Sequence, residues 1–169
     1  GLTYNYTINW GDGSAVQSID SDTSPSHTYS ISGEYTITIS GTFPSINFND
    51  GGDKDKIISI PNLGDVGWTN FQMAFKGSSL GELYGGNTSG VTNMQDMFMD
   101  TQDANPDTSG WNTSNVENMM SMFANAASAD PDVSGWNTTN VTQMTSLFEG
   151  AVNANPDVSQ WNTSSVQEM

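Results

Sequence analysis

The stretch Asp132–Phe148, DVSGWNTTNVTQMTSLF, decides the fold, because the chain writes it more than once. Upstream, Thr108–Phe123 reads TSGWNTSNVENMMSMF, and downstream, Asp157–Met169 reads DVSQWNTSSVQEM. Trp111, Trp136 and Trp161 fall 25 residues apart. The same step links Asn87, Asn112, Asn137 and Asn162, then Val91, Val116, Val141 and Val166. It also links Met94, Met119, Met144 and Met169, and Phe98, Phe123 and Phe148. Pro-Asp pairs recur at 106–107, 131–132 and 156–157. A decayed copy, Trp68–Phe75, precedes Val91–Phe98 at an offset of 23.

A period of this length with short apolar clusters predicts stacked coils, since one unit cannot bury its apolar residues alone. Each unit carries two such clusters. V-x-x-M-x-x-[ML]-F has the spacing of a turn or two of helical or 3₁₀ structure. D-V-S-x-W reads as a short strand, punctuated by Pro before it and Gly-Trp-Asn-Thr after it. The expected fold class is therefore a mainly β, α+β repeat solenoid: leucine-rich-repeat-like coils of short parallel strands and helical turns. Regular repeats are expected over 86–169 and degenerate first coils over 45–85, with Lys56–Ile60 as the first strand.

Residues 1–44 read differently. Tyr4–Trp10 and Glu34–Ser40 alternate apolar with polar residues, as strands do. GDGS at 11–14 supplies the positive φ of a tight turn. These segments predict a small antiparallel β module that caps the N-terminal end of the coils.

Composition narrows the function. Three lysines, Lys54, Lys56 and Lys76, stand against nineteen acidic residues, for a net charge of −16. That argues against nucleic acid and against anionic lipid, both of which need basic side chains. There is no cysteine, which excludes disulfides and thiolate chemistry. No apolar run approaches the ~18 residues of a membrane span. The chain starts on Gly1 and stops inside a repeat, as an excerpt from a longer parent chain would.

Catalytic signatures are missing: no GxSxG, HExxH, P-loop or GxGxxG occurs. The single histidine, His27, fits a structural hydrogen bond better than general-base work. Asp50, Asp53 and Asp55 beside two glycines offer hard oxygens for calcium as a cofactor, although Lys54 and Lys56 oppose it. A tryptophan that recurs beside a valine in every coil reads as core rather than as a sugar platform. The Asn and Thr files, Asn112, Asn137, Asn162 and Thr113, Thr138, Thr163, read first as turn caps. The alternatives for those files are a flat threonine array and glycosylation sequons. In D-V-S, Val points inward, so Asp and Ser point out. Stacking then lines up Asp107, Asp132 and Asp157 beside Ser109, Ser134 and Ser159, edged by Asn105, Asp130 and Asn155. An aligned carboxylate file repels itself unless a basic partner or cations cover it, which makes this face the candidate ligand-binding site.

WNTSNVENMMSMFANA and WNTTNVTQMTSLFEGA resemble the repeat of BspA-like bacterial surface proteins, shared by listerial and mycoplasma lipoproteins and many adhesin-like proteins. WGDGS with the later HTY resembles the PKD-like β-sandwich signature that precedes such repeats. The chain departs from the pattern where the family's Phe-Asn is replaced by Ala104-Asn105, Ala129-Asp130 and Ala154-Asn155. The resemblance implies a leucine-rich-repeat-like protein, extracellular or on the bacterial cell surface, that binds or adheres rather than catalyses. The expected partner is a host or neighbouring-cell surface protein, peptide or glycan. Two alternatives stand beside it: a structural spacer that displays another binding domain of a large adhesin, and a fragment of a surface glycan-acting enzyme.

Overall fold

The computed structural model describes all 169 residues. Its N-terminal part is a three-stranded antiparallel sheet of β1 (Asn5–Asn9), β2 (Gln17–Ile19) and β3 (Thr38–Thr42), in the order β2-β1-β3. β1 pairs Tyr6 with Ile19 on one side and Ile8 with Ile39 on the other. Alternation along β1 buries Tyr6 and Ile8, with Trp10 just beyond the strand, into a small apolar cluster. Strand β3 starts later than the alternation predicts, and Glu34–Ile37 lies outside the sheet. Within β3, the φ of +111° at Gly41 puts Asn5 and Tyr6 backbone where a Cβ would stand, so only glycine lets β3 come this close to β1.

Phe43 joins this cluster to the rest of the molecule. Its ring meets Tyr6 edge-on at 4.8 Å and Trp68 at 5.6 Å. Beyond it, β4 (Ser59–Ile60) and β5 (Glu82–Leu83) form a two-stranded parallel pair, with Ile60 opposite Leu83. The rest of the stack is held by single-residue parallel bridges that run Ser45, Asn70, Asn93, Asn118, Gln143, Glu168. One continuous core of 24 buried residues, Leu63 to Leu147, fills it. Phe75, Phe98, Phe123 and Phe148 stack at centroid spacings of 5.7, 5.4 and 5.6 Å. Trp111, Trp136 and Trp161 stack within 3° of parallel.

The expected α+β repeat solenoid is not what the chain forms. It is a small, β-rich, mostly non-helical domain with few strands and no closed solenoid. There is no α-helix, and the only 3₁₀ turn is Lys54–Lys56, outside the V-x-x-M segments. Those segments are chains of turns that donate to the next unit at every second residue. Met94, Asp96, Phe98 and Asp100 give their N–H groups to the carbonyls of Asn118, Met120, Met122 and Ala124. A helix would keep those bonds inside the segment.

Two sequence features prevent it. Asn93 and Asn118 use Oδ1 to accept the N–H two residues on, from Gln95 and Met120, in direct competition with helical bonding. In addition, every fourth residue is left-handed: Asp96 and Asp100, Ser121 and Asn125, Ser146 and Gly150. Such residues cannot continue a right-handed helix.

D-V-S-x-W is not a strand either. The strand-like pairing ends where the Asp107 N–H reaches the Leu83 carbonyl. In later units the corresponding carbonyls, of Thr108 and Val133, accept the indole Nε1–H of Trp136 (3.4 Å) and Trp161 (3.2 Å). Of 62 backbone hydrogen bonds only 11 lie within regular elements, so turns and unit-to-unit bonds carry the architecture.

Candidate functional site

The candidate face begins with a local motif. In each copy the aspartate folds back on its own turn. Asp107 Oδ1 accepts the Ser109 N–H (3.1 Å) and hydroxyl (2.7 Å). Asp132 Oδ1 does the same with Ser134, at 3.0 and 2.7 Å. Asp157 accepts the Ser159 N–H at 3.0 Å. This is the Asx turn that Asp favours. The middle residue faces inward, with Thr108 and Val133 buried, while all three Asp and all three Ser are exposed. The outward orientation thus comes from a repeated turn rather than from strand alternation.

These bonds set the electrostatics. Each aspartate is held below the usual carboxylate range, first by the serine hydroxyl and then by the serine N–H. The neighbouring carboxylate one unit along acts against this on Asp107 and Asp132. The edge residues are tied down as well: Asn105 Oδ1 accepts the Asp130 N–H (3.1 Å), and Asp130 Oδ1 accepts the Asn155 N–H (3.0 Å).

One residue of this face escaped the sequence reading. Tyr84 follows β5 and is exposed, beside Glu82 and Asp107. Its hydroxyl is pushed up by the Glu82 charge first, then by burial, a hydrogen bond with Glu82 and the Asp107 charge. The alternation Glu82 out, Leu83 in, Tyr84 out was the available signal.

The calcium candidate has a different fate. Lys54 Nζ lies 3.3 Å from Asp50 and 3.1 Å from Asp55, and Lys56 lies 2.7 Å from Asp53. Lys54 also donates to the Gly77 carbonyl. The two lysines take up the three carboxylates, and no group of three acidic or histidine side chains gathers there to hold a metal. The loop residues do not fit a calcium cage.

The remaining candidates are structural. His27 Nε2 meets Asp12 Oδ2 at 2.8 Å and stacks on Trp10 at 5.0 Å. Asp12 also shapes its turn through the Ser14 N–H, and the Ser14 and His27 hydrogen bonds hold its carboxyl far below the usual range. Trp68, Trp111 and Trp136 are buried core. In the Thr file, Thr113 and Thr138 face inward, as Thr88 does, while Thr163 is exposed. Thr113 Oγ1 accepts the Asn137 N–H (2.9 Å) and donates to the Asn137 carbonyl (3.1 Å), and Thr88 and Thr138 do the same one unit away. At the far end, Met144, Phe148, Val158, Trp161 and Met169 line an open apolar recess.

A small antiparallel sheet thus abuts stacked turn segments whose sequence recurs every 25 residues and which present one polar face. Residues 69–169, the stacked units, match the family described as "Mycoplasma protein of unknown function, DUF285", and the chain belongs to that family. No curated protein and no solved structure matches it.

Proposed function

We propose that this chain is a non-enzymatic binding module of a bacterial cell-surface or secreted protein, and that it holds a cationic segment of a partner protein across Asp107, Asp132 and Asp157. One observation carries this: three carboxylates are fixed in the same turn geometry, in register, with one oxygen of each left outward. Preorganised, ionised groups lose little freedom when a partner docks. Lys54 and Lys56 are paired with the aspartates of their own loop, and from Gly77 onward the sequence has no lysine or arginine to neutralise the face. Tyr84 at its edge adds a ring over which a Lys or Arg side chain can sit. The narrower resemblance to BspA-like repeats supports an adhesive role, and an outer-surface setting agrees with the acidic composition.

The test is titration of the protein with an oligolysine peptide at low and physiological salt. Asp107, Asp132 and Asp157 are changed together to Asn, which keeps the Oδ1 acceptor and removes the charge. A control changes Asp20, Asp22 and Glu34, exposed on the N-terminal part, to Asn, Asn and Gln. Loss of binding in the first variant alone supports the site. Equal loss in both means that only net charge is being read. No binding by the folded protein favours the spacer reading.

A further inference from the structure

A second surface lies on the bridge segments, away from the aspartate file. Thr92, Asn93, Glu117, Asn118, Thr142 and Gln143 line a groove of about 340 Å³, and none of the six is hydrophobic. These are two adjacent positions from each of three successive units. The bridges Asn93 to Asn118 and Asn118 to Gln143 join these units in parallel register. We propose that this groove binds an uncharged glycan chain laid along the stack, with one sugar residue to each unit.

The chemistry of the lining argues against hydrophobic ligands, anions and an added peptide strand. With no apolar side chain, it gives nothing to a hydrophobic ligand. With one carboxylate, no cation and a net charge of −16 around it, it repels anions. An added peptide strand would need free carbonyls, but all six lining carbonyls already accept a backbone N–H. Those of Thr92, Glu117 and Thr142 are taken by Glu117, Thr142 and Gln167. Those of Asn93, Asn118 and Gln143 are taken by Phe71, Met94 and Met119.

What remains unused is side-chain capacity. Asn93 Oδ1 is taken by the Gln95 N–H, which leaves its Nδ2 free to donate. Asn118 is fixed at both ends, by the Met120 N–H and by Gln95 Oε1 at 3.3 Å, with one amide hydrogen left over. The Thr92 hydroxyl, the Glu117 carboxylate and the Gln143 amide bond to no other protein group. Mixed donors and acceptors of this kind match hydroxyl groups, each of which donates and accepts. The unit spacing, ~4.8 Å across paired backbones, is close to the length of one pyranose residue in an extended glycan. Successive units therefore present polar side chains at the spacing of successive sugars, with a different pair of residues from each unit.

The test is a titration of ¹⁵N-labelled protein with neutral hexasaccharides: cellohexaose, chitohexaose and maltohexaose. The side-chain NH₂ signals of Asn93, Asn118 and Gln143 report directly. At least one sugar is expected to shift them saturably. The variant Thr92→Val, Glu117→Ala, Gln143→Ala removes only side chains that bond to nothing else, so it keeps the fold, and it should weaken binding at least tenfold. The Asp107, Asp132, Asp157 triple Asn variant should bind the sugar unchanged, which separates this site from the cation-binding face. No shift with any of the three sugars, or shifts that survive the groove variant, would overturn the assignment.

Discussion

Thr113 is the point at which one hydroxyl holds two units together, and replacing it tests how the stack is built. The side chain is 1% exposed, and its Oγ1 serves both the N–H and the carbonyl of Asn137. Thr113→Val keeps the shape and removes both bonds. Each orphaned backbone group costs about 1–3 kcal/mol, and a better-buried methyl offsets part of that, so a net loss of about 3 kcal/mol is expected. Thr113→Ser keeps the hydroxyl and gives up one methyl, for about 1 kcal/mol. Thr163 occupies the same place in the last unit, where it is exposed and makes no side-chain hydrogen bond. Thr163→Val should therefore stay within about 0.5 kcal/mol of the parent. Urea denaturation measures all three, with midpoints compared at constant slope. The reasoning fails if Thr113→Val costs no more than Thr113→Ser, or if Thr163→Val costs as much as Thr113→Val.

Ser134→Ala should raise the Asp132 pKa towards the ordinary carboxylate range, read by side-chain ¹³C shifts, while Asp157 keeps its depressed value. Because the folded-state pKa values of Asp107, Asp132 and Asp157 are lowered, their contribution to stability is complete above the unfolded value of about 3.9. It is lost as pH falls through the folded values, so the Ser134→Ala variant should lose less stability than the parent on acidification below that point. Ser146 sits at φ +58°, so Ser146→Gly should gain about 0.5 kcal/mol once the flexibility of glycine is counted, and Ser146→Val should lose stability in the same thermal melt. Phe98 is fully buried between Phe75 and Phe123, and Phe98→Ala should cost about 3–5 kcal/mol. Calcium should leave the melting midpoint unchanged, since Asp50, Asp53 and Asp55 face lysines. A rise with calcium that Asp53→Asn abolishes would contradict this.

The repeat length, the core positions and the N-terminal sheet were legible because each rests on one physical rule. Val91, Met94 and Phe98 recur because a buried position in one unit must be buried in the next. Tyr6 and Ile8 alternate because successive residues of a strand face opposite ways. The helical turn was misread because V-x-x-M-x-x-M-F satisfies a helical period while its other residues deny it. Asp96 and Asp100, Asn125 and Gly150 are the residue types that tolerate left-handed backbone, while Ser121 and Ser146 take it up without that preference. That pattern lay in the polar positions, which an apolar-periodicity argument skips. The strand in D-V-S was misread for a related reason. Its inside-outside pattern is real, but the carbonyls it would pair are taken by tryptophan indoles, a long-range bond that no local spacing reveals. The carboxylate file was legible since it needs only the repeat. The outward turn of Tyr84 had a local signal but its place beside Asp107 did not, and neither did the groove, because both depend on which segments the stack brings side by side.

Specificity can reside only in side chains that the stack does not use to hold itself together. The repeat Val, Met, Phe and Trp of the inner units, such as Val116, Met119, Phe123 and Trp136, are committed to the core. Thr88, Thr113 and Thr138 are committed to the backbone of the next unit, and Asn87, Asn112, Asn137 and Asn162 to their own turns. Asp107, Asp132 and Asp157 are half committed, with one oxygen held and one outward. Only a few positions per unit are free of structural duty: after the repeat valines, the side chains of Thr92, Glu117 and Gln167 bond to no other protein group, whereas Thr142 donates its hydroxyl to the Glu117 carbonyl. These differ in size and charge from unit to unit, whereas the committed positions hardly vary. A stack built this way can change its ligand by exchanging the free residues without altering a single bond that holds it together. A graft of Glu117→Thr should therefore alter what the groove binds and leave the melting midpoint where it was, because no protein group bonds to the Glu117 side chain. A fall in midpoint comparable to that of Thr113→Val would mean that the position carries structure after all.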